Sequence, residues 1–318
     1  MRKLLLGTTA LAAAATLSAN VAVADVSISG FFEWKYKSQS SNITANDGTS
    51  IDSDSEIAFK FSNKTDSGLT VGMTTEMFAD GGDTEIEESY LHISGGFGKI
   101  VLGVDDGVGD YYGVAASDLP AEEVFAIGTS ASISVKNADY VNLSSNSQVM
   151  SYHFPAMGGL TGGVSYQNSG KTGATDSSEV ALKYTMDAGG ANITLGAATG
   201  TKEAASQDED TQVVGVKITS GNITVAASQS THEASGSDEE SNGFAAQFKV
   251  SDAMTLTGYT FETDEDAVSE TYTNSGVEVK YSIASGLTAF LNVEDYDYKP
   301  GTSGGNADSG TTSKLTIQ

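Results

Sequence analysis

The chain has 318 residues, 16 Lys and Arg against 42 Asp and Glu, a formal charge of -26, 36 Gly, 3 Pro and no Cys. So acidic a chain has no basic face for phosphate, which excludes nucleic acid as a partner, and the missing Cys excludes disulfides and thiol chemistry. Beyond the first residues no stretch reaches about 18 apolar residues, so no transmembrane helix is expected, but barrel strands are short and half apolar and are not excluded by this.

The N-terminus carries Arg2 and Lys3, an apolar run from Leu4 to Leu17, and the small-x-small sequence Ala22-Val23-Ala24 before Asp25. This predicts a signal peptide over residues 1–24 and a mature chain over 25–318. Removing Arg2 and Lys3 takes the charge from -26 to -28 and leaves lysine as the only strong cation.

Short alternating segments follow. Val26 to Tyr36 places Val26, Ile28, Phe32, Trp34 and Tyr36 on one face and Ser27, Ser29, Phe31, Glu33 and Lys35 on the other. Glu56 to Asn63, Leu69 to Phe78 and Glu85 to Ser94 repeat the pattern. Gly95-Gly96-Phe97-Gly98 then opens a strand, Lys99 to Asp105, with Ile100, Leu102 and Val104 on one face. After it come about 40 residues without a strand pattern, a length that marks a functional or disordered loop.

The rhythm resumes at Gln148 to Phe154 and Leu160 to Gln167. It continues through Glu179 to Tyr184, Ala191 to Ala198, Thr211 to Thr219, Asn222 to Gln229, Gly243 to Val250, Met254 to Glu262, Tyr272 to Ile283, Leu287 to Tyr298 and Thr311 to Gln318. That makes about 16 strands. Connections after even strands are short, such as Ser220-Gly221. Those after odd strands are longer and acidic, such as Lys37 to Ser55, Ser230 to Ser241 and Thr263 to Glu270. This sorting is that of an all-β transmembrane antiparallel barrel. A β-sandwich also alternates, but Ser27, Ser29, Lys60, Lys183, Lys217, Gln247, Lys249, Glu278 and Lys280 are too polar for a dry core. They suit a wet lumen.

The opening Asp25-Val26-Ser27-Ile28-Ser29-Gly30-Phe31-Phe32, the Gly96-Phe97-Gly98 turn with its strand and long loop, and the closing strands resemble the general porins of Gram-negative bacteria, in particular the alphaproteobacterial type. The resemblance implies an outer-membrane barrel of about 16 strands, embedded in lipid and assembled as a homotrimer, that passes small hydrophilic solutes and ions. It implies that the third loop, about residues 106–146, folds into the lumen, and that Ala79 to Thr84 clasps a neighbouring subunit. The sequence departs from the family in two ways. The chain ends Lys314-Leu315-Thr316-Ile317-Gln318, where the family closes on an aromatic residue, so a final strand short by a few residues is expected. No arginine is available for the barrel wall.

Selectivity in such a channel follows from charges at its narrowest point. On the loop the candidates are Asp105, Asp106, Asp110, Asp118, Glu122 and Glu123, with a solvated loop surface as the competing reading of each. On the wall they are Lys60, Lys183, Lys217, Lys249 and Lys280, which strand arithmetic puts at similar heights, joined by Lys35. Snorkelling to the membrane boundary is the competing reading. Because screening confines each charge to its neighbourhood and the acids outnumber nearby cations, weak cation selectivity is expected.

Asp208-Glu209-Asp210, Asp238-Glu239-Glu240 and Asp264-Glu265-Asp266 are expected in external loops. Carboxylates so close repel, and Ca²⁺ relieves that cost; a solvated acidic surface serves equally well. No EF-hand spacing occurs and no cofactor is required. Gly301-Thr302-Ser303-Gly304-Gly305 matches a nucleophile elbow only formally, because no helix follows. His92, His153 and His232 share no ligand spacing, and are expected on the wall, in an aromatic girdle and in a loop respectively. A barrel hydrolase, and a plugged surface barrel for adhesion or as a calcium-rich coat, remain the alternatives. Small residues such as Ala58, Gly103, Gly163, Ala181 and Gly215 argue for an open bore.

Overall fold

The computed structural model describes residues 25–79, 86–120, 143, 147–168, 176–203, 208–234, 237–266, 269–302 and 306–318. Its strands are β1 (Asp25–Ser41), β2 (Gly48–Lys64), β3 (Thr70–Phe78), β4 (Ile86–Gly95), β5 (Gly98–Asp105), β6 (Ser147–His153), β7 (Leu160–Asn168) and β8 (Asp176–Ala188). The second half supplies β9 (Ala191–Glu203), β10 (Glu209–Ser220), β11 (Ile223–Ala234), β12 (Ser237–Lys249), β13 (Met254–Glu265), β14 (Glu270–Ala284), β15 (Leu287–Lys299) and β16 (Asp308–Ile317).

Each strand pairs with its sequence neighbours, and β16 returns to β1, so the sixteen strands close into one antiparallel barrel. The seam runs from Trp34 opposite Ile317 to Ser41 opposite Gly310. The last strand is held on both sides, its other ladder running from Ala289 opposite Ile317 to Tyr298 opposite Asp308. The tight turns use glycine where the backbone needs positive φ, as at Gly189 (68°) and Gly190 (93°) between β8 and β9.

Period-two alternation sorts the side chains. Val26, Ile28, Phe32, Val180, Leu182, Val277, Leu291 and Val293 are exposed on the outside. Between them, residues such as Glu179, Thr257, Glu278 and Glu294 turn inward and are buried. Toward the long-connection end the outward positions become polar: Gln212 on β10, Gln229 on β11, Glu240 and Asn242 on β12, Glu262 and Asp264 on β13, Asp295 and Asp297 on β15. The strands therefore outrun the apolar belt.

This overturns part of the expected loop assignment. Asp238, Glu239 and Glu240 lie in β12, Asp264 and Glu265 in β13, and Glu209 and Asp210 in β10. Stretches polar on both faces carry no hydrophobic period, so their ladder pairing is invisible in sequence. Alternation also divides each acidic run, Asp238 and Glu240 lying outward while Glu239 lies inward. His232 lies in β11 with Nδ1 2.9 Å from Thr211 Oγ1, and His153 lies inside, 4% exposed, rather than in an outer girdle. Trp34, Tyr36, Phe61, Tyr184 and Tyr281 are exposed outside as a girdle requires, whereas Tyr298 is buried inside.

The belt and the polar collar make different demands on a charge. Val277→Arg should destabilise the barrel by about 2–4 kcal/mol in urea titrations in lipid vesicles, and Asp295→Lys by about 0–1 kcal/mol. Equal costs would mean that the belt is misplaced.

Candidate functional site

From β5 the chain enters the barrel. Asp106 and Gly107 lead to a short helix α1 (Val108–Tyr112), and a 3-10 turn follows over Ala116–Asp118. The helix packs on β7, β8 and β9, and the 3-10 turn on β10, β11 and β12. The loop thus runs along the inner wall.

Small residues make the floor. Val108 packs with Ala181, Ala198 and Val213, and Ala116 and Leu119 pack with Ala226, Ala245, Tyr259 and Phe261. A Cβ on Gly163 would stand 2.9 Å from Val108 Cγ1, one on Gly196 would stand 2.6 Å from Val114 Cγ2, and one on Gly215 would collide with the Val114 carbonyl. Burying Val108, Val114 and Leu119 contributes about 1.5–3 kcal/mol each. Gly163, Ala181 and Gly215 therefore do not simply widen the bore, as their size suggested. They seat the loop.

Wall side chains satisfy the loop backbone. Val108 N donates to Ser165 Oγ at 3.1 Å, Gly109 N to Glu179 Oε2 at 2.9 Å, and Ala116 N to Ser228 Oγ at 2.8 Å. Lys183 Nζ donates to Tyr111 O at 2.9 Å and Gln247 Nε2 to Leu119 O at 3.2 Å. The second oxygen of Glu179 accepts from Leu143 N at 2.8 Å. One carboxylate thus holds the outgoing and the returning limb. Tyr112 OH lies 2.9 Å from His153 Nδ1, whose Nε2 lies 3.0 Å from Ser151 Oγ.

The expected acids divide into two groups. Asp105 is 1% exposed at the loop root and accepts from Tyr111 OH through both oxygens, at 2.9 and 2.8 Å; Asp106 is buried beside it. Burial, and then the Asp105 carboxylate, hold the Tyr111 phenol far above its ordinary value, so it remains a donor. Asp110 and Asp118 are only half-buried, and Asp118 also accepts from Ala115 N at 3.1 Å. Glu122 and Glu123 lie outside the described residues.

The wall lysines share the lumen register but not one environment. Lys183 lies beneath α1, its ammonium 5.7 Å from the Tyr112 ring centre, and the charges acting on it are Asp118, Lys217 and Asp110. Lys35 lies 2.7 Å from Glu33 and 3.9 Å from Asp54, and Lys60 lies 3.8 Å from Glu76. Lys249 reaches the rim, 2.8 Å from Asp252, whose carboxyl this contact holds below its ordinary value. Lys280 sits 5.3 Å from the Phe290 ring centre. The structure thus brings Asp110, Asp118, Lys183 and Lys217 together on one side, and places Lys35, Lys60, Lys249 and Lys280 elsewhere around the wall.

The sequence reading missed Glu179, Ser165 and Ser228 as loop anchors, and Lys37, Lys314, Glu76, Glu88 and Glu294 as inward charges. The signal was there, since each falls on the inward phase of its strand. Inward aromatics also meet here, Tyr259 and Phe261 of β13 with ring centres 5.7 Å apart and Tyr272 of β14 stacked on Tyr296 of β15 at 6.5 Å. Among the described residues no group of three or more His, Asp and Glu is placed to hold a metal ion, and Ser303 lies outside the described residues.

The sequence model described as Gram-negative porin matches residues 7–301. No curated protein matches by sequence. Among solved structures, an anion-selective porin from Comamonas acidovorans is 16% identical at TM-score 0.67, over 93% of this chain and 100% of that one. In-vitro folded OmpT in trimer form, an outer membrane protein of Vibrio cholerae, is 14% identical at 0.66, over 92% and 99%. A mutant porin of Rh. blastica is 16% identical at 0.62, over 92% and 99%.

Glu179→Ala leaves two loop amides without their charged acceptor, a loss of about 1.5–3 kcal/mol per bond. Amide exchange at Gly109 and Leu143 should accelerate by at least tenfold while exchange in β10 and β11 stays unchanged. Unchanged exchange at both would remove Glu179 from the anchor.

Proposed function

This chain belongs to the Gram-negative porin family, outer-membrane channels built on a closed barrel, and we propose that it passes small hydrophilic solutes and ions passively, with a weak preference for cations. The supporting observation is how the wall cations are engaged. Lys35, Lys60 and Lys249 each stand within ion-pair distance of a carboxylate, and Lys183 donates to a loop carbonyl. The carboxylates offset the field of Lys35, Lys60 and Lys249 locally, within a Debye length of about 8 Å, while Lys183 keeps its charge on the side it shares with Asp110 and Asp118. Asp110 and Asp118, half-buried on the inner loop, then set the sign of the field beside it. Asp105 and Asp106 act in this reading as the loop's root, and Lys217 and Lys280 moderate the preference without reversing it.

Assembly as a homotrimer belongs to the same proposal, with residues 79–84 as the clasp; of these only Ala79 is among the described residues. Nothing in the reaction-free passage of solutes calls for a nucleophile, a metal or a cofactor. Calcium at the outer acidic runs would bind one face of the wall at a time, since Asp238 and Glu240 point away from Glu239.

Single-channel recording in a planar bilayer under a KCl gradient tests the reading. A cation-favouring reversal potential, moved toward zero by Asp110→Asn with Asp118→Asn, is the expected result. An anion-favouring reversal would transfer control to the lysines, and no conductance from a folded barrel would favour a plugged surface protein. Gly215→Leu should push the loop off its floor and raise unit conductance measurably; a conductance equal to the parent would mean that the loop does not narrow the bore.

A further inference from the structure

The inner wall of β14, β15, β16 and β1 holds buried polar atoms with nothing to bond. Neither the oxygen nor the nitrogen of the Asn274 carboxamide has a hydrogen-bond partner, although the side chain is 1% exposed. Asn292 Nδ2, Thr312 Oγ1 and Gln39 Oε1 are likewise buried and unpartnered. The ladders gather these four residues. Asn274 stands opposite Tyr296, Glu278 opposite Asn292, Glu294 opposite Thr312 and Thr312 opposite Gln39, so they occupy three successive inward rows on four adjoining strands. The helix α1 packs on β7 to β9, which puts this patch across the bore from the inner loop. Each orphaned group carries a desolvation cost that a partner would remove.

We propose that the patch is a binding subsite for an uncharged polyhydroxylated solute, a small sugar in class. The orphans are of both kinds. Asn274 Nδ2 and Asn292 Nδ2 donate, Asn274 Oδ1 and Gln39 Oε1 accept, and the Thr312 hydroxyl does either. Neighbouring hydroxyls on one ring donate and accept and so complete both kinds, whereas an anion meets only the donors and a cation only the acceptors. The nearby charges balance, because Glu278 and Glu294 lie on the same rows as Lys314 and Lys37 or one row away, and their field favours no net ion. The rings of Phe261, Tyr259 and the stacked Tyr272 and Tyr296 supply the apolar surface that a solute pocket needs beside its few polar groups. The Tyr259 phenol lies across Gly276, where a Cβ would collide with it, and donates to Asn292 Oδ1 at 2.9 Å. Turning that ring off Gly276 admits the solute and frees the Asn292 oxygen for it. The inference rests on the chain's being an open channel, and adds retention of one solute class to passive passage.

Single-channel recording of the mature chain in KCl, with sucrose or glycine added, tests the subsite. Sucrose should interrupt the current with saturable dependence on concentration, and glycine over the same range should not. Asn274→Leu with Thr312→Val should raise the half-blocking sucrose concentration about fivefold or more, as the loss of several neutral hydrogen bonds allows. The urea midpoint of that variant should stay level or rise, because the atoms removed have no partner in the free barrel. Sucrose block that never saturates, equal block by the zwitterion glycine, or block indifferent to the double substitution overturns the subsite. So does a lowered urea midpoint with the heat-modifiable gel shift intact, which would make the patch a seat for bound water. KCl conductance without sucrose block fails the subsite alone, whereas a folded barrel without conductance fails the channel reading and the subsite with it.

Discussion

The closed ladder of backbone hydrogen bonds is the constraint on which everything else rests. In hydrocarbon an unpaired amide or carbonyl costs several kcal/mol, so the sheet must meet itself, and β16 pairs with β1 from Trp34 opposite Ile317 to Ser41 opposite Gly310. Closure commits every strand to two faces. One is spent on lipid and the other encloses the lumen, and the period-two alternation of the chain follows from that division.

Closure also dictates how the inner loop is held. A barrel has no free edge, so the loop cannot join it as another strand. Its amides and carbonyls must find side chains instead, and Ser165, Glu179, Lys183, Ser228 and Gln247 supply them from four strands. The apolar half of the attachment needs close approach, which glycine and alanine on β7 to β12 permit. Size complementarity places the loop and charged hydrogen bonds lock its limbs, so the width of the bore and the field beside it come from the same contacts.

The fold was largely legible. Sorted connections, alternating segments and the Gly-rich turn before Lys99 led to a barrel of sixteen strands, and the family match over residues 7–301 agrees. The strand ends were not, because β12 and β13 continue through Glu240 and Asp264 where both faces are polar and hydrophobicity has no period to show. The inward phase of Lys60, Lys183 and Glu278 could be read from their strands. That Lys183 lies beneath a helix while Lys60 meets Glu76 could not, since those neighbours are distant in sequence.

What the sequence alone determined is what depends on local order: which residues face in, where the turns fall, that the chain is acidic, and that lysine is its only wall cation. What only the tertiary structure decided is which inward residues meet. Gly163, Ala181 and Gly215 look alike as signs of an open bore until the loop is laid across them. Asp105 and Asp118 look alike as loop acids until one is buried at the root against Tyr111 and the other stands half-exposed beside Lys183. The physical reason is that alternation fixes the direction of a side chain within a strand, whereas the register and curvature of sixteen strands fix its partners.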